Sequence, residues 1–460
     1  MILERQATVC VRGLRYCKHE RVESVPTVPA MSNRIASRLS ALAGRSPIGF
    51  EVGFADGSRF ATGEGAPVFT IRFRTQSAQW RTLAFKHIGL LEAYFDGEVD
   101  IDGDLGAMFR LGMYSDFDSP NLLVALRNRW HELLRSNASK SRARANARFH
   151  YGLGADFYSQ WLDVPLMMYT CGYWPEGVAT LEQAQAAKID HVCRKIGLRA
   201  GDSVVDVGCG YGGFMIRAAQ RLGVYATGLN TTPEQVVELR TRLQREGLSD
   251  RLPVVEADFR DPIGQFDKVV SIGVLEHAGR DQLDEVVAAH ARLLRPGGIG
   301  MLHFIGHVGQ AQTEFFIRKH VFPGGWIPSL ARTIEAMERN GLEVLDIENL
   351  RRHYALTLDA WATRFDARWE TIHALDPVRF DARFRRVWRT YLIGCAEMFR
   401  SPHGRTHLFQ IVFSRGNVGR DGYPMSRRFI YETPAQSPTP RATLPLPETG
   451  LAQAAVGAGA

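Results

Sequence analysis

The stretch VVDVGCGYGGF, residues 204–214, places four glycines after an apolar run and before a helical pattern that opens at Phe214. An apolar run of this length is typical of a buried strand, and glycine lets the following turn bend tightly and approach a ligand. The amino end of the next helix lies behind that turn and adds a partial positive charge. The stretch therefore predicts a strand, a ligand-binding loop and a helix, as in an α/β fold.

Strand and helix patterns alternate along the chain from about residue 183 onward. The predicted strands are 203–208, 224–229, 253–257, 267–273, 299–305, 342–348 and 408–414. A helical pattern between 283 and 294 fills one of the gaps. Such alternation predicts a doubly wound, mostly parallel seven-stranded sheet in a Rossmann-like α/β domain, which we place at 149–420.

A smaller domain is predicted before this sheet. Between residues 48 and 112, short alternating runs are separated by turn residues, and Ala55-Asp56-Gly57 is typical of a hairpin. We expect a small α+β domain over 31–126 and a basic linker over 127–148. Residues 1–30 are expected to be a disordered extension, with Met31 as an alternative start, and 434–460 a disordered tail.

The composition is that of a globular protein, with 45% hydrophobic and 23% charged residues. The formal net charge of +7 favours an anionic partner, either an acidic lipid surface or nucleic acid. Nucleic acid is disfavoured, because no aromatic residues are interleaved with the linker's charges as a stacking platform. The basic residues of the linker are Arg127, Arg129, Arg135, Lys140, Arg142, Arg144 and Arg148.

Cysteine usage and hydropathy indicate a compartment. The six cysteines lack the paired spacing of a metal site, so we expect free thiols in a reducing cytoplasm and no bound metal. No apolar run approaches the roughly 20 residues of a membrane-spanning helix, and the amino end has no secretory pattern. These features predict a cytoplasmic protein.

Two ligands compete for the glycine loop. Gly208, Gly210 and Gly213 fit the G-x-G-x-x-G spacing of a dinucleotide site. The acidic ribose ligand expected about 20 residues later is absent, because the second predicted strand ends in TGLNTT. The alternative is S-adenosylmethionine, since Asp206 and the spacing Gly208, Gly210 and Gly212 resemble motif I of class I methyltransferases.

Motifs outside the loop give a closer resemblance. HYGLGADFYSQWLD, MMYTCGYW, LEHAG, LHFIG, VFPGGWIPS, HYALTLDAW and YLIGCAEMFR follow one another between residues 150 and 400. Together they resemble the cyclopropane fatty acid synthase family over roughly 150–416, and 48–112 resembles the lipid-binding domain of its longer bacterial members. The resemblance implies methyl transfer from S-adenosylmethionine to a cis double bond of a phospholipid acyl chain. Proton loss then closes a cyclopropane ring.

The resemblance also implies roles for individual residues. A bicarbonate ion is the implied base, held by the backbone amides of Cys171 and Ile305 and by the side chains of Glu276, His303 and Tyr391. S-adenosylmethionine is implied to contact Tyr169, Thr170, Asp206, Gly208, Gly210, Leu229, Asn230, Gln235, Asp258 and Phe259. Thr170 and Asn230 depart from the serine and threonine of nearer relatives, but both keep a hydrogen-bonding side chain.

Other interpretations stay open at this point. Glu276 alternatively caps the following helix, while His303 and Tyr391 are alternatively core residues. Similar proteins form methyl- or methylene-branched chains, and plant relatives methylate alkaloid nitrogen, which the lipid-like N-terminal domain disfavours. A noncatalytic lipid-binding protein is a further alternative. The sequence favours a cyclopropane-fatty-acyl-phospholipid synthase in peripheral contact with the anionic inner face of the membrane, with a homodimer left open.

Overall fold

The computed structural model describes residues 30–432, apart from residue 45, most of 114–148, and residues 151, 262, 278 and 310–312. The two terminal segments expected to be disordered and most of the predicted basic linker therefore lie outside the described residues. Within the described part, the chain builds one four-stranded and one seven-stranded sheet.

The four-stranded sheet forms a small α+β unit, as predicted. Its strands pair in the order β2-β1-β3-β4, and β1 and β2 form the predicted antiparallel hairpin. The turn needs glycine, because Gly57 has a positive φ of 83°. The elements are α1 Ala30–Ala43, β1 Phe50–Gly53, β2 Arg59–Ala61, β3 Phe69–Phe73, α2 Gln76–Phe95, β4 Val99–Gly103 and α3 Leu105–Met113.

The seven-stranded sheet confirms the predicted fold class. Its strand order is β10-β11-β9-β8-β5-β6-β7, and all pairings are parallel except the two made by β11. The strands are β5 Ser203–Val207, β6 Tyr225–Asn230, β7 Val254–Glu256, β8 Phe266–Ile272, β9 Leu294–His307, β10 Leu342–Asn349 and β11 Thr406–Arg415. Strand β9 begins earlier than predicted, because Leu294 already pairs with Phe266 before the register shifts.

Helices cover both faces of this sheet, and most have clear sequence boundaries. Helix α5 begins with a capping box, in which Thr180 and Gln183 satisfy each other's backbone amides. Helix α6 begins at Gly213, one residue before the predicted start. The helices are α4 Ala155–Ser159, α5 Leu181–Lys195, α6 Gly213–Leu222, α7 Pro233–Arg245, α8 Leu283–Leu293, α9 Leu330–Arg339, α10 Arg351–Ala367, α11 Trp369–Leu375, α12 Ala382–Arg400 and α13 Arg428–Tyr431.

The small unit packs against the large one through buried charges. The Glu92 carboxylate of α2 accepts hydrogen bonds from Lys319 Nζ at 2.6 Å and His320 Nε2 at 2.9 Å. Arg110 Nη1 of α3 donates to Glu397 Oε1 of α12 at 2.7 Å. Apolar residues from both units also belong to one continuous core. The two units therefore form a joint wall around the space between them.

Arg127, the first residue of the predicted basic linker, packs against residues of both structural units. Its guanidinium carbon lies 4.5 Å from the ring centroid of Phe315 and 5.2 Å from that of Phe85. Its Nη2 is 3.9 Å from Glu92 Oε1. Attraction to two aromatic faces and one carboxylate holds this side chain against the folded body. The start of the linker therefore differs from the expectation at this residue.

Candidate active site

The predicted site residues gather at the carboxyl ends of neighbouring strands. Asp206 lies in β5 just before the glycine loop, and Asn230 is the last residue of β6. Asp258 follows β7, and Glu276 lies in a single 3-10 turn after β8. Carboxyl ends of parallel strands share one sheet edge, which is where ligands bind in open α/β sheets.

The glycine loop after β5 requires glycine at its first two positions. Gly208 and Gly210 have positive φ values of 74° and 53°. A Cβ on Gly208 would lie 2.5 Å from Val274 Cγ2, so no larger residue fits there. A Cβ on Gly210 would meet no atom within 4 Å. Gly210 thus borders open space, as a loop that lies beside a ligand must.

Three predicted cofactor residues hold this loop in place. The Leu229 carbonyl accepts hydrogen bonds from the amides of Gly208 and Cys209, both at 2.9 Å. Asn230 Nδ2 donates to the Gly210 carbonyl at 3.2 Å and to Gln235 Oε1 at 3.1 Å. Leu229, Asn230 and Gln235 therefore lie beside the glycine loop, and their hydrogen bonds stabilise its conformation.

Asp206 is a buried carboxyl at the base of the loop. Burial raises its pKa to about 7, and the charge of Lys188 partly opposes that rise. A buried carboxylate without sufficient positive charge nearby favours the approach of a cation. The α-ammonium group of S-adenosylmethionine is a cation of this kind, whereas the pyrophosphate of a dinucleotide is an anion. Asp206 therefore favours S-adenosylmethionine over a dinucleotide.

We expect the affinity for S-adenosylmethionine to be about tenfold weaker at pH 5.5 than at pH 7. Asp206, with a pKa of about 7, becomes protonated and loses its charge over this range. The α-amino group of the ligand titrates near pH 8 and stays cationic. Calorimetry across the range measures the effect. Asp206→Asn should bind weakly at every pH, and equal affinity of the parent protein at both pH values would contradict the role of Asp206.

Asp258 and Phe259 are less open to a ligand than expected. Asp258 Oδ1 accepts from Arg260 Nε at 2.6 Å, and Oδ2 accepts from Arg260 Nη2 at 2.7 Å. The Arg260 guanidinium carbon also lies 5.2 Å from the Phe259 ring centroid. Any hydrogen bond between Asp258 and the amino group of adenine must therefore be shared with Arg260.

Tyr169 and Thr170 connect the cofactor side of the site to its catalytic side. Tyr169 Oη donates to Tyr391 Oη at 3.0 Å. Thr170 Oγ1 accepts from Lys188 Nζ at 2.7 Å, and the Thr170 carbonyl accepts from Gln185 Nε2 at 2.8 Å. Helix α5 thus fixes the segment that carries both residues.

Cys171 is not a nucleophile. Its thiol is fully buried and donates weakly to the Gly172 carbonyl at 3.1 Å. Burial raises the pKa of the Cys171 thiol well above its usual range, so the reactive thiolate does not form near neutral pH. This result leaves the backbone amide of Cys171 as the group by which it can contribute to a site.

Glu276 faces β9 and does not cap a helix. Its Oε1 accepts a hydrogen bond from the Ile305 amide at 2.6 Å. Its Oε2 is buried and has no hydrogen-bond partner among the described residues. Burial raises the pKa of Glu276 to about 7. From the sequence, we expect the Ile305 amide to contact a bound anion directly. In the structure this amide instead donates its hydrogen bond to Glu276 and thereby positions the Glu276 carboxyl.

His303 lies on β9 opposite Gln410 of β11. Its Nδ1 is 3.0 Å from Gln410 Nε2, and its Nε2 is buried without a partner among the described residues. Burial holds the pKa of His303 well below its ordinary value, so the ring is neutral. With Nδ1 accepting from the Gln410 amide, the proton resides on Nε2, which is then a donor.

A cavity of about 800 Å³ runs between the two structural units and reaches these side chains. Its catalytic end is lined by Tyr169, Cys171, Glu276, His303, Ile305 and Tyr391. The small unit contributes apolar residues to the opposite wall: Leu39, Leu42, Phe50, Phe69, Ile71, Leu91, Met108 and Leu111. The structure thus brings all five predicted catalytic residues to one apolar cavity.

Sequence reasoning missed several residues of this site. Gln410, which orients His303, was detectable as a polar residue inside the apolar run LFQIVF. Lys188, which holds Thr170, belongs to a row of polar residues at helical spacing in α5. The apolar residues of the small unit carried no such pattern, because their role depends on how the two units pack.

Two different families match the two structural units of the chain. Residues 138–411 match the family described as mycolic acid cyclopropane synthetase, and residues 40–119 match a domain of unknown function, DUF7884. The chain is 35% identical over 355 residues to a probable fatty acid methyltransferase of Pseudomonas putida, covering 74% of this chain and 85% of that protein. It is 34% identical over 364 residues to the cyclopropane-fatty-acyl-phospholipid synthase of Escherichia coli K12, covering 76% and 89%.

Solved structures agree. The mycolic acid cyclopropane synthase CmaA1, complexed with SAH and CTAB, has a TM-score of 0.55 and 32% identity, covering 59% of this chain and 98% of that chain. The cyclopropane synthase MmaA2 from Mycobacterium tuberculosis has a TM-score of 0.54 and 29% identity, with the same coverage. Together with the glycine loop, Asp206 and the Glu276–His303 pair, these matches show that the chain belongs to the cyclopropane fatty acid synthase family of S-adenosylmethionine-dependent C-methyltransferases.

Proposed function

We propose that this protein is a cyclopropane-fatty-acyl-phospholipid synthase. It transfers a methyl group to a cis double bond of a phospholipid acyl chain and removes a proton from that methyl group, so that a three-membered ring closes. The observation that carries the proposal is the position of Glu276 and His303, whose side chains line an apolar cavity and keep unpartnered buried atoms. Polar groups in an apolar wall suit chemistry on a hydrocarbon chain.

The cavity suits an acyl chain better than a small polar substrate. Most of its wall is apolar, and part of that wall comes from the small N-terminal unit. An apolar chain in this cavity gains about 0.8 kcal/mol per buried methylene group. The name of the Escherichia coli relative, a synthase of cyclopropane fatty-acyl phospholipids, supports the same substrate class.

Aromatic rings line the catalytic end of the cavity, where the proposed reaction would place positive charge on the substrate. S-adenosylmethionine, bound at the glycine loop, supplies the electrophilic methyl group. Addition of this methyl group to one alkene carbon leaves a cation on the other alkene carbon. The ring centroid of Phe322 lies 6.4 Å from that of Tyr169 and 5.8 Å from that of Tyr391. Aromatic rings attract a nearby cation, and the apolar wall of the cavity disfavours the water that would trap it.

The residues around Glu276 fit a bound bicarbonate ion. With a pKa of about 7, Glu276 can hold a proton near neutral pH and so does not repel a small anion. His303 Nε2–H, the Tyr391 hydroxyl and the Cys171 amide are donors at the same end of the cavity. Bicarbonate, when bound there, supplies the base for the proton of the added methyl group. The Ile305 amide contributes through Glu276.

A second candidate function has support from the comparisons. The Pseudomonas putida relative is named a probable fatty acid methyltransferase, and a Mycobacterium tuberculosis relative of 34% identity is named a tuberculostearic acid methyltransferase. From the same cation, proton loss from the methyl-bearing carbon gives a methyl-branched alkene. A hydride shift to the cationic carbon, followed by proton loss from the methyl group, gives a methylene branch, and a saturated methyl branch requires a reductant in addition. The orientation of the base relative to the added methyl carbon decides between the ring and a branched chain.

Mass spectrometry of lipids tests the proposal in cells. A bacterial host that makes monounsaturated phospholipids but lacks a cyclopropane synthase should accumulate ring-bearing acyl chains when it expresses this protein. Cells expressing Glu276→Gln serve as the matched control and should show little product. A methyl branch or a methylene group in place of the ring would support the second candidate, and unchanged acyl chains would refute both.

We further propose that the protein reaches its substrate at the membrane surface. Within the described residues, no helix is long and apolar enough to cross a membrane. Trp80 and Trp130 are each 66% exposed, and tryptophan is favoured at the boundary between lipid and water. The net charge of +7 favours anionic headgroups. These features support peripheral contact without insertion of a helix.

Vesicle binding should therefore respond both to salt and to tryptophan removal. We expect binding to anionic vesicles to weaken severalfold between low salt and 0.5 M salt, because exposed charges are screened over about 10 Å at 0.1 M. Trp80→Ser and Trp130→Ser should each weaken it by about tenfold, from the loss of apolar burial. Met425→Ser, at an exposed residue of the C-terminal segment, is the control. Salt-insensitive binding would contradict the electrostatic part.

A further inference from the structure

Helix α5 carries a row of buried polar side chains. Gln185, Lys188, His191 and Lys195 recur at helical spacing, and each has no exposed surface. Lysine is rarely buried completely unless it is paired. Lys195 is paired directly, since its Nζ lies 2.6 Å from Glu348 Oε2. The pairing of Lys188 differs, and its surroundings belong to the cofactor side of the site.

Lys188 holds the segment between the two halves of the site. Its Nζ donates to Thr170 Oγ1 at 2.7 Å. One turn earlier in α5, Gln185 Nε2 donates to the Thr170 carbonyl at 2.8 Å. Thr170 directly follows Tyr169, whose hydroxyl is hydrogen-bonded to the hydroxyl of Tyr391. Lys188 therefore helps to fix a residue that lies between the cofactor loop and the catalytic cavity.

Lys188 is also the positive member of a buried cluster of charges. Burial raises the pKa of Asp163 to about 6 and that of Asp206 to about 7, and the charge of Lys188 partly opposes both rises. Asp163 Oδ1 accepts from the Met168 amide at 2.9 Å. The negative charge of Glu182 raises the pKa of Asp163 further. The ionised forms of Cys171, Cys209 and His303 also interact electrostatically with Lys188 or Asp206.

The charges of this cluster leave a place for one more cation. When Asp163 and Asp206 are both ionised and Lys188 is protonated, the three groups carry a net charge of −1, and a buried net charge is costly. The α-ammonium group of S-adenosylmethionine, bound at Asp206, brings the sum to zero. Without the Lys188 ammonium, two buried carboxylates would face a single ligand cation, and Asp206 would favour its neutral form.

We propose that Lys188 is a positioning residue for the cofactor, which holds Thr170 in place by its hydrogen bond and offsets part of the cost of burying the Asp206 carboxylate. It acts through these two residues and does not contact the reacting atoms. The proposal concerns cofactor binding alone, so it stands whether the lipid product carries a ring or a branch. It would fail independently of the proposed function, because its test requires no lipid.

Calorimetric titration with S-adenosylmethionine between pH 6 and pH 8.5 tests the proposal. Lys188→Met keeps the length of the side chain and removes its charge. The ratio of the dissociation constants of variant and parent cancels the titration of the ligand's own amino group. We expect this ratio to be about tenfold or more at pH 6.5 and to fall steadily as the pH rises, because Asp206 then ionises without help from Lys188.

Matched variants separate this role from a general loss of stability. Lys195→Met removes the other buried lysine of α5 and should leave the ratio independent of pH. Lys188→Arg keeps the charge and should restore most of the affinity at pH 6.5. If Lys188→Met fails to fold, Lys188→Gln replaces it, since it also removes the charge but keeps a hydrogen-bond donor for Thr170 Oγ1.

Two results would overturn the proposal. One is a Lys188→Met protein that binds S-adenosylmethionine as the parent does at every pH. The other is a loss of affinity that is the same at pH 6.5 and pH 8.5, or that Lys195→Met reproduces, since either pattern indicates a purely structural role.

Discussion

Glu276→Gln is expected to lower cyclopropane formation by about 10²–10⁴-fold, the range typical for loss of a positioned acid–base group, with nearly unchanged binding of S-adenosylmethionine. Glutamine has the size of glutamate, and its Oε1 can still accept from the Ile305 amide, which Glu276 now does at 2.6 Å. The amide cannot gain or lose a proton near neutral pH. It therefore cannot share a proton with a bound anion, and proton removal from the methyl group becomes slow.

The stability of the same variant should move in the opposite direction to its activity. Burial raises the pKa of Glu276 to about 7, above the value of about 4.5 in an unfolded chain. The stabilising contribution of this carboxyl is therefore complete below pH 4.5 and is lost as the pH rises through 7. Glutamine carries no charge to bury, so Glu276→Gln should unfold at a higher temperature than the parent at pH 8.

The two measurements together decide what Glu276 does. An inactive variant that is at least as stable as the parent and still binds the cofactor indicates a role in the reaction. A variant that forms product at the parental rate would remove Glu276 from the mechanism. An inactive variant that unfolds at a lower temperature would show that Glu276 mainly holds β8 and β9 together.

Gly210→Val is expected to abolish binding of S-adenosylmethionine. Gly210 has a positive φ of 53°, which a β-branched residue rarely adopts. A Cβ at this position meets open space in the structure, so the valine side chain would occupy the volume beside the loop where the ligand lies. The first effect strains the loop and the second excludes the ligand, and neither requires a clash with the folded chain.

Gly197→Val is the matched control for backbone strain. Gly197 also has a positive φ, 59°, and open space around its Cβ position, but it lies in the turn after α5 and away from the glycine loop. Calorimetry should show parental affinity for Gly197→Val and no binding for Gly210→Val. Retained binding by Gly210→Val, or tight binding of NAD by the parent, would contradict the assignment of the loop.

The α/β fold was predictable because its information is local. Most of the seven strands are apolar or alternating runs bounded by turn residues, and the order in which these runs alternate with helices favours a doubly wound sheet. The positions of Asp206 and Glu276 were predictable for the same reason. A residue at the last positions of a parallel strand, or in the short turn just after it, lies at the carboxyl edge of the sheet.

The remaining features depend on contacts between distant segments. Nothing near Glu276 in the sequence indicates that the Ile305 amide bonds to it, since this contact depends on the register of β9 against β8. The pairing of Asp258 with Arg260 depends on side-chain geometry, which the sequence does not record. The cavity wall supplied by the small unit depends on how two units pack, and no periodic pattern records it.

The fate of an isotopic label gives the most direct test of ring closure by proton loss from the added methyl group. Purified protein is given S-adenosylmethionine with a fully deuterated methyl group and vesicles of a phospholipid with one cis double bond per acyl chain. Mass spectrometry and nuclear magnetic resonance then locate the label. The expected product carries two deuterons on one carbon of a cyclopropane ring, since the third leaves with the base. A methyl branch that retains all three deuterons would contradict the proposal.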